Sequence, residues 1–180
     1  MKILYRLFVA LLFALILDGI TKFWAGQALD LYRPVPVGGD FLRFTLGYNA
    51  GIAFGMFANG GLWPLIVTGV IIMLLLLWFA RTLYSGQFPS WAAWPIGLLL
   101  GGAIGNFADR LLDGRVTDFL DVGIGTARWP TFNLADSFIL IGVGLLMFLS
   151  FDRKQTDKSS EFEVPSEDRL EESGNVFLDP

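Results

Sequence analysis

The 180 residues are 54% hydrophobic and only 17% charged, against about 25% charged in soluble domains, and the apolar residues come in long blocks. That combination excludes an ordinary soluble domain and points to a membrane. The chain has no cysteine and no histidine, which excludes disulfides, thiolate nucleophiles, thiolate metal sites and the commonest general base.

Any chemistry must therefore use Asp, Glu, Lys, Ser, Thr, Tyr or backbone groups. The net charge of −4 belongs to the C-terminal end. Residues 152–180 hold nine acidic and four basic residues, net −5, and residues 1–151 are nearly neutral at +1.

The first apolar block, 3–24, follows Lys2 and contains Arg6. It is too long for a signal-peptide core and lacks an A-x-A cleavage pattern, so it is expected to remain as a helix. Residues 26–61 form a long connection. Within it "FLRFTLGYN" (41–49) alternates, with Arg43 and Thr45 on one face and Leu42, Phe44 and Leu46 on the other, which predicts a strand. The following "AGIAFGMFANGG" is small and aromatic and suits a membrane interface. Blocks 62–83 and 91–112 are each long enough to span. The latter carries "GLLLGGAIGNF", where Gly97, Gly101 and Gly105 at spacing four let another helix approach closely. The fourth block, 132–151, is "FNLADSFILIGVGLLMFLSF". The remainder, rich in Ser, Glu and Asp, is expected to be disordered. The chain thus reads as one membrane domain, 1–151, with a connection at 26–61 and an acidic cytoplasmic tail, 152–180.

Four spans put both termini on one side. Lys2, Arg6, Arg81, Arg153, Lys154 and Lys158 then face Arg33, Arg43, Arg115 and Arg128, a small positive-inside bias. With that topology the polar residues collect at one end. Asp18 and Lys22 lie near the outer end of the first span. Asn106, Asp109 and Arg110 close the third, and Asn133 and Asp136 open the fourth. Asn49 and Asp118 fall in the outer loops. Ionisable residues placed this way in membrane segments are a functional-site signal.

Each group also has a plain structural role. Asp18 and Lys22 are i,i+4 and can neutralise one another. Arg110 can snorkel to the surface. Asn133 and Asp136 fit a helix N-cap. Composition and spacing do not choose among the loop carboxylates Asp113, Asp118 and Asp121. Three hydrolytic chemistries remain without His or Cys: paired carboxylates, a Ser137–Lys22 pair, or a carboxylate-bound metal. Ser137 points about 100° away from Asp136 around the helix, and no tight D-x-D ligand run is present. A proton-coupled carrier with Asp18, Asp118 and Asp136 as a relay, and a non-enzymatic membrane scaffold, are the competing classes.

Five pieces in order, "DGITK" (18–22), "NAGIAFG" (49–55), "GGAIGNFADR" (101–110), "VTDF" (116–119) and "FNLADS" (132–137), resemble lipoprotein signal peptidase, the bacterial signal peptidase II family. The resemblance implies a mainly α integral membrane fold: four transmembrane helices with a small outer-face β-cradle and an interfacial helix. It implies Asp118 and Asp136 as the catalytic pair of an aspartic endopeptidase. Asp18, Lys22, Asn49, Asn106, Arg110 and Asn133 are the implied supporting and substrate-positioning residues. It also implies a reaction without metal or organic cofactor: cleavage of a prolipoprotein just before its diacylglyceryl-modified cysteine. The expected setting is the bacterial inner membrane, with both termini cytoplasmic and the active site near the outer surface. The expected partners are prolipoprotein and membrane lipid, with no nucleic acid, and the chain is expected to act as a monomer.

Overall fold

The computed structural model describes residues 1–51 and 61–162, with 152–162 as backbone. It divides into two compact units, Met1–Leu146 and Met147–Pro180. The elements follow in the order α1 (Lys2–Ala28), β1 (Val35–Gly38), β2 (Leu42–Asn49), α2 (Trp63–Tyr84), α3 (Ala93–Asp113), β3 (Val116–Ile124), β4 (Ala127–Arg128) and α4 (Leu134–Phe162). A single 3-10 turn, Ser90–Ala92, leads into α3.

Among the described residues, four helices are long and apolar enough to cross a membrane. Their boundaries lie close to the predicted blocks, except that α4 runs past residue 151 to Phe162. The second unit, within the described residues, is this C-terminal part of α4. The expectation of a disordered tail falls, beyond Phe162, outside the described residues. So does the expected interfacial segment across 52–60.

The central helix is α3. Of its membrane window 61% is buried, against 22% for α1, 17% for α4 and 6% for α2. Small residues put it there. A Cβ on Gly97 would lie 2.5 Å from the Leu7 carbonyl oxygen, and one on Gly101 would lie 2.6 Å from that of Leu11. Ala10 and Ala14 of α1, both fully buried, face the same seam. The other side of α3 meets α4: a Cβ on Gly102 would strike the Ala135 carbonyl, and Gly142 of α4 is closed in by Pro95. Between apolar helices in lipid no hydrophobic drive exists, so close van der Waals contact of this kind holds the bundle together. The exposed apolar residues of α1 and α2, such as Phe8, Leu12, Ile71 and Leu77, present the lipid-compatible surface that a spanning helix needs.

The strands form one sheet in the order β1-β2-β3-β4, all neighbours antiparallel. The strand predicted at 41–49 is β2. Its partner β3 corrects an expectation: Asp118 does not lie in a loop but in a nine-residue strand, paired with Gly47 of β2. The strand was hidden because both of its faces hold buried positions and each carries a buried acid, Asp118 on one and Asp121 on the other. Likewise Asn49 ends β2 rather than sitting in a loop. The sheet is anchored to α1 by Trp24, which stacks edge-on against Phe44 at 5.2 Å and Phe119 at 6.3 Å. Ala25, Leu46 and Phe119 form the buried cluster beneath.

This packing predicts a sharp contrast between two glycines. Gly101→Ala pushes a methyl into α1 backbone and should cost about 1–3 kcal/mol, the usual penalty of overpacking. Gly144→Ala meets nothing within 4 Å and should be neutral or slightly stabilising. Thermal unfolding of the two variants in one detergent measures the difference.

Candidate active site

The site is assembled where the C-terminal ends of α1 and α3, the start of α4 and the middle of β3 converge. The start of α4 sets the geometry. Asn133 is its N-cap: the Asp136 backbone N–H donates to Asn133 Oδ1 at 2.9 Å, and the Asn133 N–H donates to Asp136 Oδ2 at 3.2 Å. This reciprocal pair is a capping box with aspartate in the third helical position. The Ala135 N–H, a further orphan donor of the first turn, is taken by Asp18 Oδ1 of α1 at 2.8 Å.

Two buried amides then join the carboxylates. Asn106 of α3 donates from Nδ2 to Asp136 Oδ1 at 2.8 Å. Its Oδ1 accepts from Asn133 Nδ2 at 3.1 Å and from Lys22 Nζ at 2.9 Å. Asn133 Nδ2 also donates to Asp118 Oδ1 at 2.8 Å. Asp118 and Asp136 are thus linked through Asn133 and Asn106, from different elements and far apart in sequence. The Asn49 side chain lies near Asp118 and favours its charged form, and its oxygen accepts the Gly51 N–H at 2.9 Å.

The surroundings of Asp118 shift its carboxyl. Burial pushes Asp118 up to about 7, and the charge of Asp136 adds to the rise. Hydrogen bonds from Asn133 and Asn49 and the charge of Lys22 oppose it without cancelling it. Two carboxylates in one poorly solvated site cannot both ionise readily. Asp136 accepts hydrogen bonds on both oxygens in the first turn of α4.

Lys22 sits beneath the pair. Its ammonium contacts Asp18 at 2.7 Å, Asp109 at 3.0 Å and Asn106 at 2.9 Å. The suspected pairing of Lys22 with Asp18 is present, and Gly105 makes room for it, since a Cβ there would lie 2.7 Å from Asp18 Oδ2. Asp109 is the partner that helix spacing alone did not single out. Its signal was position: three residues after Asn106, one turn along the same helix face. Ser137 donates to the Asn133 carbonyl at 3.0 Å and does not pair with Lys22, whose three protons are all engaged. Arg110 does not snorkel. It is 9% exposed and donates to the carbonyls of Gly51 at 2.6 Å and Asn106 at 3.1 Å. Its Nε has no partner among the described residues.

A cavity of about 670 Å³ opens over these groups. Asn49, Asn106, Arg110, Asp118 and Asp136 form its polar wall, and Val116, Val122, Trp129, Leu140 and Ile141 its apolar wall. On the opposite face of β3, Asp121 is the centre of a second, separate network. It accepts from Arg128 Nε at 2.7 Å, Thr45 Oγ1 at 2.9 Å and Arg43 Nε at 3.2 Å. Burial alone would raise the Asp121 carboxyl, but the Arg128 and Thr45 hydrogen bonds and both arginine charges outweigh it and hold it below the ordinary carboxylate range. Asp113 is exposed at the end of α3.

These contacts generate two predictions. Lys22→Ala leaves the buried Asp18 without its cation and should cost about 3–5 kcal/mol, whereas the double change Asp18→Asn with Lys22→Gln should cost less. A double-mutant cycle on thermal unfolding that came out additive would show that the two residues are not coupled. Asp121→Asn removes the charge that binds Arg43 and Arg128 and should cost about 1–3 kcal/mol, while Asp113→Asn should stay within about 0.5 kcal/mol of the parent. Because the Asp121 carboxyl is depressed, its contribution is present above the ordinary carboxylate range and is lost as pH falls below it.

Comparison with known proteins agrees with the architecture. Residues 10–152 match the family described as signal peptidase (SPase) II. A lipoprotein signal peptidase of Psychromonas ingrahamii is 38% identical over 142 residues, covering 78% of this chain and 82% of the relative. One from Xanthomonas euvesicatoria is 41% identical over 142 residues, covering 76% and 81%. A solved structure described as a bacterial membrane enzyme, 32% identical, superposes with a TM-score of 0.71 over 82% of this chain and 88% of that one. The chain therefore belongs to the signal peptidase II family.

Proposed function

We propose that the chain is an aspartic endopeptidase in which Asp118 and Asp136 act together on one water. Membership in the family gives the reaction class: removal of signal peptides from prolipoproteins by a multi-pass bacterial membrane protein. The observation that supports the aspartic mechanism is the pair itself. Two carboxyls from β3 and α4 are tied through Asn133 and Asn106 at the floor of a half-apolar cavity.

The environments divide the labour. Asp118, kept protonated by burial and by its neighbour's charge, is the acid. Asp136, surrounded by donors at a helix N-terminus, is the base. Asp136 takes a proton from the water as its oxygen attacks the scissile carbonyl. Asp118 gives its proton to the carbonyl oxygen, forming a neutral gem-diol. Collapse of that intermediate breaks the C–N bond. The proton gained by Asp136 passes to the leaving amine, and the diol returns a proton to Asp118, so the pair ends as it began. The Arg110 guanidinium lies within the field of both carboxyls and donates to the Gly51 carbonyl.

The cavity suits the substrate class. A lipid-modified cysteine presents a peptide bond beside acyl chains. The polar wall meets the former, and Trp129, Leu140 and Ile141 meet the latter. The catalytic end of the bundle is the outer one in this reading, with both termini cytoplasmic and the protein acting as a monomer on membrane-held substrate.

Asp118→Asn and Asp136→Asn are nearly isosteric and should fold, yet each should abolish cleavage of a lipidated prolipoprotein. The double variant should add little, because the two act as one unit. If Asp136 were only a cap, Asn there would cost about 1 kcal/mol of stability and spare activity. The pH dependence has a defined sign. Activity should fall as pH rises through about 7, where Asp118 loses its proton. Stability should also fall as pH rises from the ordinary carboxylate range towards that value, because the folded state holds a proton the unfolded state has released. Asp118→Asn should remove this dependence. Flat activity across that range, or cleavage by either single variant, would remove the pair.

A further inference from the structure

The ion cluster around Lys22 has a regular relation to the two proposed catalytic aspartates. Asp18, paired with Lys22 at 2.7 Å, accepts the backbone N–H of Ala135, the residue just before Asp136. Asp109, paired with Lys22 at 3.0 Å, accepts the backbone N–H of Thr117 at 3.2 Å, the residue just before Asp118. One cation thus binds two carboxylates, and each carboxylate holds the main chain beside one member of the pair.

The second of these bonds ties the β3 backbone to the helices. The Asp118 side chain is tied to α4 through Asn133. The β3 backbone at Thr117 is tied to α3 and α1 through Asp109 and Lys22. Gly114 ends α3 in the left-handed conformation, φ 69°, with its N–H on the Arg110 carbonyl, and the chain then turns directly into β3. Asp109 closes that turn from the helix side. Both of its bonds converge on the same atom, Oδ2.

We propose that Asp109 is a positioning residue: through Lys22 and the Thr117 N–H it sets the placement of β3, and hence the spacing of Asp118 from Asp136. The proposal rests on the aspartic reading above. Lys22 and Asp18 hold the α4 side of the same gauge, so a shift of Asp109 changes the separation of the pair. A displacement of about 1 Å in such a constellation is enough for about 100-fold in rate.

The alternative role for Asp109 is charge balance for Lys22, and two substitutions distinguish them by sign. Asp109→Asn keeps one oxygen where Oδ2 stands, able to accept from both Thr117 and Lys22, but loses the charge. Asp109→Glu keeps the charge but moves the oxygens outward by a methylene. Positioning expects Asn to retain kcat within about tenfold, with Glu and Ala lower by about 100-fold and KM little changed in all three. Charge balance expects Glu to outperform Asn. The measurement is kcat and KM for cleavage of a lipidated prolipoprotein in detergent micelles, with thermal unfolding of each variant and Asp113→Asn as control. Asp109→Ala leaves Lys22 with Asp18 and Asn106; if it nevertheless fails to fold, the Asn and Glu pair decides alone. Glu equal to the parent, or Asn no better than Glu, overturns the proposal. Asp118→Asn run alongside separates the two ideas. If it still cleaves, the aspartic reading falls and takes this one with it. If it is dead while Asp109→Ala has parental kcat, only the positioning role falls.

Discussion

The site depends on one buried ammonium. Lys22 is 7% exposed, and Asp18 beside it is 1% exposed. Withdrawing both from water costs several kcal/mol per ion unless every proton and lone pair is engaged. The structure engages them. Lys22 spends its three protons on Asp18, Asp109 and Asn106, and Asp18 has a second donor in the Ala135 N–H. Such a cluster tolerates one arrangement, and α1, α3, β3 and the start of α4 must all meet it. The energetic risk of burying charge is therefore also what fixes the relative placement of four elements beneath the cavity.

Asn106 and Asn133 are the natural linkers for this task. An amide carries both donor and acceptor on a short, planar group. It can accept from a cation and donate to a carboxylate without adding charge to a site already crowded with it. Asn106 does so with Lys22 and Asp136, and Asn133 with the α4 backbone and Asp118. Replacing either by a carboxylate would put like charges side by side, and replacing either by an alkyl group would leave buried partners unsatisfied. The same reasoning explains how capping and the proposed catalytic role fit together at Asp136. A capping box holds the side chain in one rotamer and surrounds it with donors, both of which a positioned base needs.

The glycines of α3 make that convergence possible. The small-residue seam lets α1 and α4 approach α3 from two sides at backbone contact, and Gly105 continues the seam into the polar cluster by leaving space for Asp18. The packing that holds a helical bundle together in lipid thus runs directly into the ion cluster. By contrast α2 is scarcely buried and contributes no side chain to the site among the described residues. The Asp121 cluster on the far face of β3 clamps β2, β3 and β4 together, so that the strand carrying Asp118 is rigid on both sides.

The sequence by itself determined the family and the gathering of polar residues at one end of the spans. Hydropathy over about 20 residues measures a membrane crossing directly, so the four spans were legible. The glycine spacing in "GLLLGGAIGNF" announced the central helix, and the alternation of 41–49 announced β2. The i,i+4 spacing of Asp18 and Lys22 announced their contact, because helical neighbours are local. The tertiary structure alone decided what crosses between elements. Residues 116–124 show no clean alternation, because each face of the strand carries a buried acid. Nothing local distinguishes Asp118, facing the cavity, from Asp121, facing two arginines from β2 and β4. That distinction is a matter of which side of the pleat each falls on and of which charges the fold brings there. Asp109 was one of several polar residues at a helix end until folding brought Lys22 and the Thr117 amide to the same oxygen. Local periodicity is written in the chain; electrostatic environment is the sum over neighbours that only folding supplies.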